Sequence, residues 1–124
     1  MRWKKLKEAE LDCKKAEKLA PNHPYTYAIC GLLLFLQGKL DAALEKYKTA
    51  QSLEEDPTEF NFDIALPMLC LGQVEDALGL IRARMKQVTL LYELKDALFW
   101  YEDLKTQQPD LSGLDEALVL LRGE

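Results

Sequence analysis

The fold of this chain is decided by a short segment that occurs twice, GKLDAAL at residues 38–44 and GQVEDAL at residues 72–78. The two copies lie 34 residues apart, and each joins a glycine to apolar residues that recur at three- and four-residue steps. Such steps place apolar side chains on one face of a helix. Each copy therefore predicts a turn followed by a helix, and the period predicts a repeat protein.

A helix is also predicted before each of these turns. Pro24 begins an apolar stretch of about four turns that ends at Gly38, since proline is favoured at the first helical position. Asp56 and Pro57 predict the start of a third helix, which runs to Gly72. Few segments alternate apolar and polar residues, and β-branched residues are scarce. The chain is therefore predicted to be all-α.

The two ends of the chain continue the helical pattern. Residues 5–19 predict a helix that closes with Pro21, and residues 88–108 predict a long helix with an apolar stripe. Ser112 is expected to cap a short last helix before Gly123.

The 34-residue period, with helix, turn and helix in each copy, resembles the tetratricopeptide repeat (TPR). The residues that carry the resemblance in the best copy are Tyr27, Cys30, Gly31, Leu34, Gly38, Ala43, Tyr47 and Ala50. The resemblance implies antiparallel helix hairpins stacked as a short right-handed TPR superhelix, an α-α solenoid. It implies a single TPR-like domain over residues 1–124. Its parts are the second helix of a partial repeat at 5–21, repeats at 24–57 and 58–87, and an atypical terminal hairpin at 88–124.

Small residues at matching places predict how the hairpins close. Where two helices cross, a small side chain on each lets the backbones approach. We expect Gly31 to meet Ala43 in one hairpin and Ala65 to meet Ala77 in the next.

Composition and charge exclude several classes of protein. The chain has 124 residues, is 48% hydrophobic and 30% charged, and carries a net charge of −5. The basic side chains near the start, Arg2, Lys4 and Lys5 among them, alternate with acidic ones, which is typical of a solvated helix face rather than a nucleic-acid surface. The longest apolar run is too short to cross a bilayer, so no membrane contact is predicted. Three widely separated cysteines fit a reducing compartment, and we expect a cytoplasmic protein.

No catalytic or ligand-binding motif is present in the sequence. It has no phosphate-binding glycine loop and no zinc-protease signature, and its single histidine, His23, lies beside a proline at a predicted helix start. Cys13 and Cys30 fall on repeat core positions and are interpreted as small buried hydrophobes. We therefore expect no enzyme, no cofactor, no metal and no small-molecule substrate.

The remaining candidate is a surface. In TPR proteins the first helices of successive hairpins line a concave groove that holds a partner, and the resemblance implies the same here. The implied groove residues are Tyr25, Ile29, Leu32, Phe35 and Leu36 from the first full copy and Phe62, Asp63, Leu66 and Leu69 from the second. Most are apolar, and Phe35, Phe62 and Leu66 are the expected contact residues.

Two explanations of this apolar face stay open. In one, the long helix near residues 88–108 or a second copy of the chain packs on it, since a helix that is apolar nearly all round is usually buried. In the other, it receives a segment of another protein. The predicted function is a non-enzymatic protein-protein interaction module that forms part of a larger scaffold or sensor. The alternative is a small homo-oligomeric assembly protein, or a client-holding chaperone resembling compact TPR secretion chaperones.

Overall fold

The structure is a computed structural model that describes the backbone of residues 2–124 and the side chains of residues 7–124. The described residues form seven helices: α1 (Arg2–Leu19), α2 (Pro24–Leu36), α3 (Leu40–Ser52), α4 (Asn61–Cys70), α5 (Val74–Met85), α6 (Leu91–Gln107) and α7 (Leu114–Arg122). None of them is in a strand, so the all-α prediction is confirmed. The side chains of Arg2, Lys4 and Lys5, predicted to be solvated, lie outside the described part of the chain.

The chain divides into two compact units, residues 1–60 and 61–124. In the first unit, α2 packs against α1 and against α3. The predicted turn between α2 and α3 is confirmed, because Gly38 has a φ of +78° and its amide donates to the carbonyl of Phe35 at 2.9 Å. A positive φ strains residues that carry a Cβ, which explains the glycine at this position.

Gly31 in the first hairpin faces the aromatic ring of Tyr47 on α3. The ring occupies the space that the missing side chain leaves, and Gly31, Ala43 and Tyr47 are all buried. The small residue on α2 therefore accommodates a large one on α3.

The segment between α3 and α4 departs from the prediction. The helix that was predicted to start at Asp56 and Pro57 is α4, which begins at Asn61. Residues 55–60 form bends and turns. The Asp56 carboxylate accepts hydrogen bonds from the backbone amide and the hydroxyl of Thr58, both at 2.8 Å. Gln51 holds the loop from α3, with its side chain donating to the carbonyl of Asp56 and accepting from the amide of Phe60. Asp56 thus organises a turn, because its side chain satisfies nearby backbone groups before a helix can start.

In the second unit, α4 packs against α5 and α6, and α7 packs against α5 and α6. The buried Tyr101 on α6 donates its hydroxyl to the carbonyl of Phe62 on α4 at 2.7 Å. The guanidinium of Arg84 holds the carboxylate of Glu93 with two hydrogen bonds, at 2.7 and 2.9 Å. These contacts tie α6 to α4 and α5.

The last helix begins at Leu114 with Gly113 as its N-cap residue, so the prediction that Ser112 caps it is wrong. Gly113 has a φ of +84° and lies against Val74 and Leu69. Glycine is required here for two reasons, because the turn has a positive φ and because no space is left for a side chain. Gly123, with a φ of +75°, ends the helix as predicted.

Candidate interaction surface

The surface feature that stands out is one face of α2. The sequence of this 13-residue helix, PYTYAICGLLLFL, contains no charged residue, yet only Cys30 and Gly31 are buried. A helix that is apolar all round is normally enclosed by other elements. In this structure α1 and α3 pack against α2 and leave one of its faces exposed.

Its uncovered side is a stripe of four apolar residues, which we call the α2 stripe: Tyr25, Ile29, Leu32 and Leu36. Their spacing of four, three and four residues places them on one face of the helix. Tyr25 is 48% exposed, Ile29 57% and Leu36 40%, and Leu32 is half-buried. The α2 stripe is thus a continuous apolar strip about three turns long.

The start of the α2 stripe is held in place by the loop before α4. The Tyr25 hydroxyl donates to the carboxylate of Glu59 at 2.5 Å. Its ring packs edge-on against Phe60, with ring centroids 5.3 Å apart, and Phe60 is itself buried. Tyr25 is therefore fixed at one edge while much of its ring stays in solvent, which is the pre-organisation that a binding residue needs.

The structure places the other predicted groove residues differently. Phe35 is half-buried on a flank of α2. In the second unit Phe62, Leu66 and Leu69 are buried in the interior, and Asp63 is half-buried. Pro67 lies between them, inside α4, and is also buried. The apolar positions of α4 are core positions, whereas those of α2 reach the surface.

A second set of exposed apolar residues lies on α6. Leu91, Tyr92 and Phe99 are exposed there, but Lys95 and Asp96 are exposed among them. Charged side chains interrupt this surface, as on an ordinary solvated helix. Among the side chains that the structure describes, only the α2 stripe combines exposure with an uncharged helix.

Sequence reasoning missed a contact between two cysteines. Cys13 on α1 and Cys30 on α2 line one half-open pocket. The sequence held a signal for this contact. Cys13 precedes Tyr47 by one 34-residue period. Tyr47 packs on Gly31, which directly follows Cys30. The residue one period earlier is therefore placed to meet the same part of α2 from the other side.

The described side chains contain no group of three or more histidine, cysteine or acidic residues placed to hold a metal ion. Within the same part of the chain no helix is both long enough and apolar enough to span a bilayer. No protein-family model, no curated protein and no solved structure matches the chain.

Proposed function

We propose that this chain is a non-enzymatic protein-protein interaction module that binds an apolar segment of another protein along the α2 stripe. The observation that carries the proposal is the uncharged α2 helix with one uncovered apolar face. Apolar side chains at spacings of four, three and four residues are the pattern that helix-in-groove and related recognition modes use.

The size of the α2 stripe favours a peptide segment over a second globular copy. A fully exposed large apolar side chain presents roughly 150–250 Å², so the exposed fractions of Tyr25, Ile29 and Leu36 leave an apolar area on the order of 300 Å². A stable interface between globular proteins takes about 800 Å² from each partner. A patch of about 300 Å² is the size that commonly marks a functional site on a monomer.

The 34-residue period supports the same proposal through its resemblance to the tetratricopeptide repeat. We propose that the hairpins form a short TPR-like superhelix in which α2 contributes the contact surface. A cytoplasmic setting fits the three free cysteines, because thiols stay reduced there.

The test is a selection of peptides displayed as a random library, with the Ile29→Glu variant as the counter-target. Ile29 is the most exposed member of the α2 stripe, so the charge disturbs the surface and not the core. We expect enriched peptides with apolar residues at three- and four-residue spacing. Their affinity should fall about tenfold or more in Ile29→Glu, the loss of one desolvated anchor.

The matched control is Leu11→Glu, which adds the same charge at an exposed leucine on α1, away from the α2 stripe. This variant should bind the selected peptides as the wild type does. Peptides that bind Ile29→Glu as tightly as they bind Leu11→Glu would overturn the proposal.

Light scattering over a wide range of protein concentration tests the alternative function. A dimer that Ile29→Glu abolishes would show that the α2 stripe serves homo-oligomeric assembly instead.

A further inference from the structure

The half-open pocket between α1 and α2 has a volume of about 120 Å³ and brings two thiols together. Cys13 on α1 is half-buried, and Cys30 on α2 is buried. Both side chains line this pocket, and neither is in a disulfide. Leu33 and Leu34 form the apolar part of the wall.

Two pairs of polar side chains line the pocket beside Lys14. Lys46 pairs with Glu17 at 2.6 Å, and the Gln37 side chain donates to the carboxylate of Glu10 at 3.3 Å. These pairs leave the two sulfur atoms as the reactive groups that share the apolar wall. A water molecule takes about 30 Å³ in the liquid, so the pocket has room for a hydrogen peroxide molecule of similar size.

We propose that Cys13 and Cys30 form a redox pair that hydrogen peroxide converts into a disulfide between α1 and α2. The sulfur of Cys13, which is the more accessible, attacks one peroxide oxygen. An S–O bond forms, the O–O bond breaks, and the released hydroxide takes up the thiol proton as water. The sulfur of Cys30 then attacks the sulfenic sulfur, and the second hydroxide leaves with the Cys30 proton as water. Two thiols are oxidised, and one peroxide is reduced to two waters.

The surroundings of Cys30 favour the disulfide over the free thiolate. Burial raises the pKa of the Cys30 thiol, and the neighbouring Cys13 adds to the effect. A disulfide carries no charge, so the same apolar wall that penalises a thiolate accepts the oxidised product. Cys30 is therefore protonated in the resting state, and its proton leaves with the hydroxide as its sulfur attacks the sulfur of Cys13.

The experiment oxidises the full chain with hydrogen peroxide, alkylates the remaining thiols in denaturant and maps the tryptic peptides by mass spectrometry. Trypsin cleaves after Lys14 and Lys18, so Cys13 and Cys30 fall on different peptides, and Cys70 falls on a third. We expect a crosslinked peptide pair containing Cys13 and Cys30 that dithiothreitol separates. The crosslink restricts the unfolded chain between residues 13 and 30, so the oxidised chain should melt about 10 °C higher than the reduced one.

The matched control is Cys70→Ser, which should form the crosslink as the wild type does. Cys13→Ser removes the half-exposed partner and should give no crosslink to Cys30. The proposal is overturned if Cys13 oxidises to sulfinic acid without a crosslink, or if Cys13 pairs with Cys70 or with a second chain. The peptide map of the wild type decides this even if a variant fails to fold.

Discussion

Gly31 lies so close to the ring of Tyr47 that no side chain fits between them. A Cβ atom at position 31 would be 2.9 Å from Cδ1 and Cε1 of Tyr47. Both residues are buried, Tyr47 almost completely, so the ring has little room to move. The close approach of α2 and α3 therefore depends on the pair and not on either residue alone.

Gly31→Ala should destabilise the protein. Alanine has the higher helix propensity by about 1 kcal/mol, but overpacking a buried site costs about 1–3 kcal/mol. We expect the second effect to be the larger one, and the free energy of unfolding to fall by about 1–2 kcal/mol in urea denaturation. Gly79→Ala on α5 is the matched control, because no atom lies within 4 Å of its Cβ position. That variant should gain about 0.5–1 kcal/mol.

A double-mutant cycle tests the cause. In a Tyr47→Ile background, Gly31→Ala should cost less than it does in the wild type, because the ring that it meets is gone. The chain itself carries that combination one period later, with Ala65 and Ile81, which are both fully buried. Equal costs in the two backgrounds would contradict the packing argument.

Gly113→Ala should be more damaging than Gly72→Ala. Both glycines have a positive φ, +84° and +81°, which costs a residue with a Cβ about 1–2 kcal/mol. Only Gly113 also lacks space, since its Cβ would lie 2.5 Å from Cγ1 of Val74, whereas nothing lies within 4 Å at Gly72. We expect a loss of about 2–4 kcal/mol for Gly113→Ala against about 1–2 for Gly72→Ala in thermal or urea unfolding. Similar losses would mean that Val74 moves aside at little cost.

The helices and turns could be predicted where the signal is local. Gly38 and Gly72 each follow an apolar stretch and precede an apolar stripe, and both adopt the positive φ that such a turn needs. The start of α4 could not be predicted in this way. Asp56 and Pro57 have the composition of a helix start, but Gln51 binds the loop from the preceding helix and holds residues 55–60 in turns.

The candidate surface could be predicted for α2 but not for α4, because burial depends on contacts between distant parts of the chain. Leu32 and Leu66 occupy the same place in the 34-residue pattern, yet Leu32 is half-buried on the α2 stripe and Leu66 is buried. No feature of the pattern tells an uncovered face from a covered one. Burial depends on which elements pack on a helix, and that is set by distant parts of the chain. Cys13 and Cys30 line one pocket because α1 packs on α2. The 34-residue period by itself does not show which helices pack together, so this pair was missed for the same reason.

The thiols of Cys30, which is buried, and of Cys70, which is half-buried, predict a loss of stability at alkaline pH. Burial raises the pKa of Cys30 and of Cys70 above the ordinary value of 9.0. The unfolded chain ionises these thiols near pH 9 while the folded chain keeps them protonated, so their full contribution to stability is present below that pH. It is lost as the pH rises from about 9 toward the folded pKa, at up to about 1.4 kcal/mol per pH unit for each thiol.

The measurement is the free energy of unfolding in urea, with a reductant present, at about pH 8 and about pH 10. Other groups titrate in this interval, so the decisive quantity is the difference between the wild type and Cys30→Ala. We expect the variant to be less stable at the lower pH, because it lacks a buried side chain, but to lose less on going to the higher pH. Parallel losses in the two proteins would show that the Cys30 thiol ionises as readily in the folded state as in the unfolded one.

Stability measurements should also separate the two halves of the predicted groove. Leu66 is 2% exposed, so Leu66→Ala leaves a cavity and should cost about 2–5 kcal/mol. Ile29 is more than half exposed, and Ile29→Ala should change the free energy of unfolding by no more than about 0.5 kcal/mol. Urea denaturation of the two variants, followed by circular dichroism, measures both values. A cost at Ile29 comparable to that at Leu66 would mean that another part of the chain covers the α2 stripe in solution, and the stripe would then be core instead of a surface open to a partner.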